Sequence, residues 1–94
     1  MLIVSGKIYV TPADRDVYLA GCAELIALAR TAPGCLDFHL SGDPLEQGRI
    51  NVYEEWNSAA DVEAFRGSGP TQDQTALIHD ARVFQHEVAT SLRL

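Results

Sequence analysis

Cysteine, basic side chains and long apolar runs are all scarce in this chain, and each shortage excludes something. Two cysteines, Cys22 and Cys35, are too few for a scaffold stapled by disulfides. They form no Cys-x-x-Cys pair and have no histidines at metal-ligand spacing, so buried reduced thiols are expected and no metal site. Seven Lys and Arg stand against thirteen Asp and Glu, a formal net charge of −6. A nucleic-acid backbone or an anionic membrane surface requires a basic partner, which excludes both as the main target. No apolar run approaches the length of a membrane span. The first residues lack the basic start and long apolar core of a signal peptide, so a cytoplasmic protein is expected. The nucleophile elbow G-x-S-x-G, the P-loop and G-x-G-x-x-G are also missing, and GSGP at 67–70 is a turn sequence rather than a phosphate cradle.

What remains is the composition of a small globular protein. Apolar residues make up 47% of 94 positions and charged residues 21%, which fits a single domain over 1–94. A domain this small buries a modest share of its surface and gains from association.

The first run, MLIVSGKIYV, is rich in strand formers with apolar side chains on both alternating faces. Thr11 and Pro12 then suit the start of a helix, Thr11 as cap. In ADRDVYLAGCAELIALARTAPG, Val17, Leu19, Ala20, Ala23, Leu25, Ile26, Leu28 and Ala29 form a broad helical stripe, and Pro33-Gly34 ends it. Cys22 falls mid-helix among small and apolar residues and reads as an inert thiol. CLDFHLSGDP alternates, with Leu36, Phe38 and Leu40 on one side and Cys35, Asp37 and His39 on the other. INVYEEW alternates too, with Ile50, Val52, Glu54 and Trp56 on one face and Asn51, Tyr53 and Glu55 on the other. The two runs should pair as an antiparallel hairpin. NSAADVEAFRGSG reads as a helix capped by Asn57 or Ser58, with Val62 and Phe65 inward and Gly67 or Gly69 at its end. A further helix could begin at Pro70, which would leave His79 near a helix end. RVFQHEVATSL reads as the last strand and carries His86.

The order β-α-β-β-α-β predicts an α+β ferredoxin-like sandwich: a four-stranded antiparallel sheet with helices on one face. Two helices cover only one face of a sheet. The other, with Tyr9 and Tyr53, predicts a homodimer in which two sheets meet.

APGCLDFHL, VYEEWNS and VEAFR together resemble the antibiotic biosynthesis monooxygenase domain family, through Pro33-Gly34-Cys35, Glu54-x-Trp56-x-Ser58 and Ala64–Arg66. The resemblance implies dimeric α/β barrels of ferredoxin-like subunits and oxidation of phenols or hydroquinones by O₂ without metal or flavin. It also implies a pocket between sheet and helices. Glu54 and Trp56 would be its catalytic pair, Glu54 as base and Trp56 for stacking. Leu25, Phe38, Val52 and Phe65 would contact a small aromatic substrate. The alternative for Glu54 is a place at the rim or an ion pair with an arginine, and for Trp56 simple packing. Two departures stand out. Phe65 occupies a position where many members carry a histidine, and phenylalanine cannot move a proton; no second histidine follows near Pro70. Gly6 matches the first-strand asparagine of the haem-degrading branch, so haem degradation is not expected. His39, His79 and His86 match no zinc motif and read as interface, helix-end or surface residues. Three functions follow: a cofactor-independent monooxygenase, a non-catalytic or regulatory ligand-binding module of the same fold, or a cyclase or isomerase on a similar barrel.

Overall fold

Period-two alternation sets which way each strand faces, and it builds the sheet from the sequence up. The computed structural model describes residues 1–67 and 76–94. In β1 (Leu2–Val10) the side chains of Leu2, Val4, Ile8 and Val10 are buried while Ile3, Ser5, Lys7 and Tyr9 face the other way. In β3 (Arg49–Trp56) the buried set is Ile50, Val52, Glu54 and Trp56, as the alternation predicts. With β2 (Cys35–Gly42) and β4 (Ile78–Glu87) these form one antiparallel sheet in the order β2-β3-β1-β4. Three helices, α1 (Arg15–Gly21), α2 (Ala23–Thr31) and α3 (Ala59–Gly67), complete the ferredoxin-like arrangement.

The core divides in two along the sheet. Toward one end, Tyr18 and Cys22 pack on Ile8, Val10, Ile50 and Val52. Toward the other, Ala29 of α2 and Val62 of α3 pack on Leu2, Phe38 and Trp56.

The expected single long helix is kinked between α1 and α2. Gly21, a poor helix former, closes α1, and Cys22 sits at φ −87°, ψ −8°. The hydrogen bonding survives, since the Cys22 N–H reaches the Tyr18 carbonyl at 3.1 Å and the Ile26 N–H reaches the Cys22 carbonyl at 2.9 Å. The inward face therefore includes Tyr18 and Cys22, whereas Val17, Ala20, Ala23 and Leu28 of the expected stripe are exposed. Burial pushes the Cys22 thiol up, as an inert thiol requires. Both cysteines are free.

Other expectations need correction. Thr11 precedes a short 3₁₀ turn (Pro12–Asp14) but makes no side-chain cap; its hydroxyl lies 2.7 Å from His79 Nε2. His79 is accordingly in β4, not at a helix end, and β4 begins four residues before Arg82. In β2 the register against β3 slips between Cys35 and Asp37. This bulge turns Leu36 outward, 51% exposed, and lets Cys35 join the core instead. The helix expected from Pro70 starts outside the described residues, as does Gly69.

Two close approaches lock the frame. Gly34, at φ +81°, lies under the start of α3, and a Cβ there would stand 2.2 Å from Asp61 Oδ2. Its carbonyl accepts the Asn57 N–H at 2.8 Å. Gly6 lies in mid-β1, where a Cβ would stand 2.0 Å from the carbonyl oxygen of Arg82 and 2.7 Å from the Val83 Cα. Both neighbours are β4 backbone, so neither can swing aside. Gly6→Ala is expected to cost about 1–3 kcal/mol, the range for overpacking, with amide exchange in β4 accelerating most. Equal exchange throughout the sheet, or an unchanged melting temperature, would contradict this account of the β1–β4 contact.

Candidate active site

The site grows from the last turn of β3. Glu54 and Trp56 are two residues apart, so they share the helix-side face. Ser58 then starts α3: its hydroxyl accepts the Asp61 N–H at 3.3 Å and donates to the Asp61 carboxylate at 2.9 Å. Because the cap follows β3 so closely, α3 folds straight back over that face. It buries Val62 completely and lays Phe65 on the indole. The Phe65 ring centroid is 5.5 Å from that of Trp56 and 6.1 Å from that of Phe38, the latter edge-on.

Trp56 is 0% exposed, and its indole N–H must find an acceptor away from water. It donates to Glu54 Oε1 at 2.9 Å. Arg66, one residue after Phe65, brings a guanidinium nitrogen to 3.7 Å from the same oxygen. Burial raises the Glu54 carboxyl above the ordinary range, and the Trp56 hydrogen bond and the Arg66 charge pull it partly back. Cys35, across from Trp56 in the register, is also pushed up, by burial first and then by the nearby Glu54 charge.

The structure gathers most of the expected residues into one cluster. Trp56 and Phe38 are buried together, Leu25 and Phe65 pack against them from the helices, and Glu54 is tied in through the indole. Val52 is the outlier: it shares the strand face but packs in the neighbouring cluster with Tyr18 and Cys22. Glu54 is a buried carboxylate in apolar surroundings and is also paired with an arginine, as the alternative reading expected. Arg66 is the residue that sequence reasoning passed over as a site member. Its separation of twelve positions from Glu54 carries no local signal, and only the fold-back of α3 brings the two together. Phe65 also lines a half-open depression of about 150 Å³ with Ala32, Pro33, Asp61 and Ala64.

The remaining polar candidates lie elsewhere. His39 and Tyr53 face away from the helices, their rings 5.3 Å apart. The Tyr53 hydroxyl donates to Glu55 at 2.5 Å, and that bond first, then burial, holds Tyr53 up at about 12. His86 is on the same outer face, 6.5 Å ring to ring from Phe84. Among the described residues no group of three or more His, Cys, Asp or Glu could hold a metal ion, and no helix is long and apolar enough to cross a membrane. A haem does not fit these residues: Phe65 offers no ligand, and the close β4 backbone leaves no room for a side chain at Gly6.

A carboxyl raised by burial favours the folded state most when protonated. That contribution is complete below the unfolded value of about 4.3 and is lost as pH rises through the raised folded value. Denaturant titrations should therefore show wild type losing stability relative to Glu54→Gln over that window, and the opposite slope would overturn the burial argument. Trp56→Phe removes a donor that favours the charged form, so Glu54 should titrate higher still in a carboxyl NMR titration, with a stability loss of about 1–3 kcal/mol.

The family model for antibiotic biosynthesis monooxygenases matches residues 1–76. A solved antibiotic biosynthesis monooxygenase is 22% identical, over 96% of this chain and 100% of that one, with a TM-score of 0.77. The Pseudomonas aeruginosa protein PA3566 is 19% identical over 95% of this chain and 94% of its own, TM-score 0.81. The Mycobacterium tuberculosis haem degrader MhuD, solved with two haems in its active site, is 17% identical over 99% and 100%, TM-score 0.72. No curated protein matches the chain. At these identities the likeness is one of fold, but the family match spans most of the sequence, and the chain belongs to the antibiotic biosynthesis monooxygenase family.

Proposed function

We propose that this protein oxidises a phenolic, hydroquinone or related aromatic polyketide substrate with O₂, without metal or flavin, and that Glu54 is its base. The observation that carries the reading is the buried carboxylate set among Trp56, Phe65 and Phe38. Both of its neighbours, indole and guanidinium, contact Oε1, and Oε2 is the atom assigned to the substrate hydroxyl. Triplet O₂ reacts poorly with neutral closed-shell molecules. A phenolate can give it one electron, and the resulting radical and superoxide combine into a peroxide. Where the attacked carbon bore two hydrogens, loss of water leaves a carbonyl: R₂CH₂ + O₂ → R₂C=O + H₂O. One oxygen atom stays, the other leaves as water, and no external reductant is needed. A base of raised pKa, in surroundings that exclude water, assists the first step. Trp56, Phe65, Phe38 and Leu25 supply the apolar wall, with Val52 the next residue along the strand face.

One observation favours a second reading. Phe65 packs as a core ring where many family members place a proton-carrying histidine, as a ligand-binding module would tolerate. Oxygen uptake with a panel of hydroquinones and anthrones decides between them. Uptake by wild type, reduced about 10²-fold or more in a folded Glu54→Gln, is the expected result. Binding without uptake would establish the binding module, and turnover without O₂ a cyclase or isomerase.

The same reading includes a cytoplasmic, single-domain homodimer joined through the outer sheet face. Phe84 there is 63% exposed, and Ile3, Tyr9, Tyr53 and His39 lie on the same side. Sedimentation should give twice the mass of one 10.2 kDa chain, falling to one in Phe84→Glu. A wild-type monomer would sink the sheet-to-sheet contact.

A further inference from the structure

Helix α3 has two flanks, and Glu54 engages only one of them. Successive residues turn about 100° round a helix, so Arg66 points about 200° away from Ala64. Val62 is fully buried beneath the helix, and Arg66 on one flank reaches Glu54. On the other flank Asp61, Ala64 and Phe65 face Ala32 and Pro33, which lead from α2 into β2. The half-open depression of about 150 Å³ lies between them. Phe65 belongs to both sides: Trp56 and Phe38 cover part of its ring, and the rest lines the depression. The other walls are Ala32, Pro33 and Ala64, short side chains that leave the space open. Asp61 is the one charged residue of the lining. It takes the Ser58 hydroxyl on Oδ2 at 2.9 Å and makes no ion pair among the described residues. The arginines that end α2 and α3 are turned to other acceptors, Arg30 to the Phe38 carbonyl and Arg66 to Glu54. A carboxylate thus stands at the edge of an apolar hollow with no cation of its own.

We propose that this depression is a second ligand site, separate from the Glu54–Trp56 pair, and that it takes a small aryl-alkyl ammonium ion: one aromatic ring with a protonated amine on a short chain. Such a site does not depend on Glu54 acting as a base. An apolar cavity of about 150 Å³ accommodates one benzene ring, which sets the body of the ligand. Phe65 offers that ring an aromatic surface to pack on. The Asp61 carboxylate accepts hydrogen bonds and cannot donate, so it calls for a donor, and a charged donor binds it more strongly than a neutral one. A carboxylate or phosphate ligand would meet repulsion from Asp61 and from a chain of net charge −6, whereas a cation is drawn toward both. Bound there, the ammonium ion bridges α3 and the turn before β2, the junction that the Asn57 N–H and the Gly34 carbonyl already fasten.

An amide NMR titration with phenethylammonium, and with phenethyl alcohol as the neutral analogue of the same shape, tests this. In wild type, saturable shifts are expected to centre on Ala32, Asp61, Ala64 and Phe65. The ammonium ion should bind about 10-fold more tightly than the alcohol, since a charge-assisted hydrogen bond is about twice as strong as a neutral one. In Asp61→Asn the amide oxygen can still accept the Ser58 hydroxyl, so the cap persists and the two ligands should bind alike. Ala64→Leu places a good helix former at an exposed helical position, so it should melt at the wild-type temperature while filling the depression and binding neither ligand. No saturable shift in wild type, equal affinity for the two ligands, or binding that survives in Ala64→Leu overturns the proposal. Shifts confined to Trp56 and Arg66, on the opposite flank, overturn it as well.

Discussion

The hydrogen bond from the Trp56 indole to Glu54 is the contact on which the rest of this structure turns. Each partner would be costly to bury alone. An indole N–H without an acceptor forfeits its hydration, and a lone carboxylate in an apolar core forfeits far more. Two residues apart on one strand, they satisfy each other without any long-range coincidence. That local solution allows the largest side chain in the protein to be fully buried, and Trp56 then becomes the platform for Phe65, Phe38 and Leu2. The same contact keeps a titratable oxygen pair at the core's edge, with 10% of the Glu54 side chain still accessible. Packing and chemistry are thus two consequences of one bond.

Around this bond the family-like motifs prove to be joints. Gly34 takes a positive φ beneath Asp61, and Asn57 reaches back to its carbonyl. Ser58 and Asp61 hold the first turn of α3 between them. The start of β2 and the start of α3 are therefore clamped together, and that clamp aims α3 so that Phe65 lands on the indole and Arg66 on the carboxylate. At the other end of the hairpin the Arg15 guanidinium donates to the carbonyls of Asp43 and Glu46 at 2.9 and 3.1 Å, fastening the β2–β3 loop to the first helix. The sheet is pinned at both ends, and the Glu54–Trp56 pair lies at the end where α3 folds back.

Much of this was legible before any coordinates. Alternation in Ile50–Trp56 was strict enough to put Glu54 and Trp56 on the covered face, because a one-residue slip would have exposed the whole apolar set. Ser58 and Gly34 signalled a cap and a stop. The failures share a physical cause: each depended on a contact distant in sequence. Leu36 looked inward by alternation, but a bulge against β3 reversed it. His79 followed what read as helical sequence, yet pairing with β1 drew it into a strand, where Thr11 gave it a partner. Arg66 reaches Glu54 only through the fold-back of α3. Gly6 could be read as a missing asparagine, but the reason that no side chain belongs there is the β4 backbone, which no reading of β1 alone reveals.

Phe65 gives these facts a common direction. A histidine there could share proton transfer with a carboxylate; a phenylalanine removes that help and extends the apolar cluster around Trp56, the partner of that carboxylate. Burial raises the carboxyl, and a carboxylate of higher pKa is a stronger base once it is ionised. On the proposed reading, burial thus strengthens the one proton carrier that remains. Arg66 and the indole set the limit on this effect, since both favour the charged form and keep the group from becoming a permanently neutral acid. Under the proposed function, a base held between those two pressures suits an acidic hydroxyl better than a carbon acid far from any oxygen.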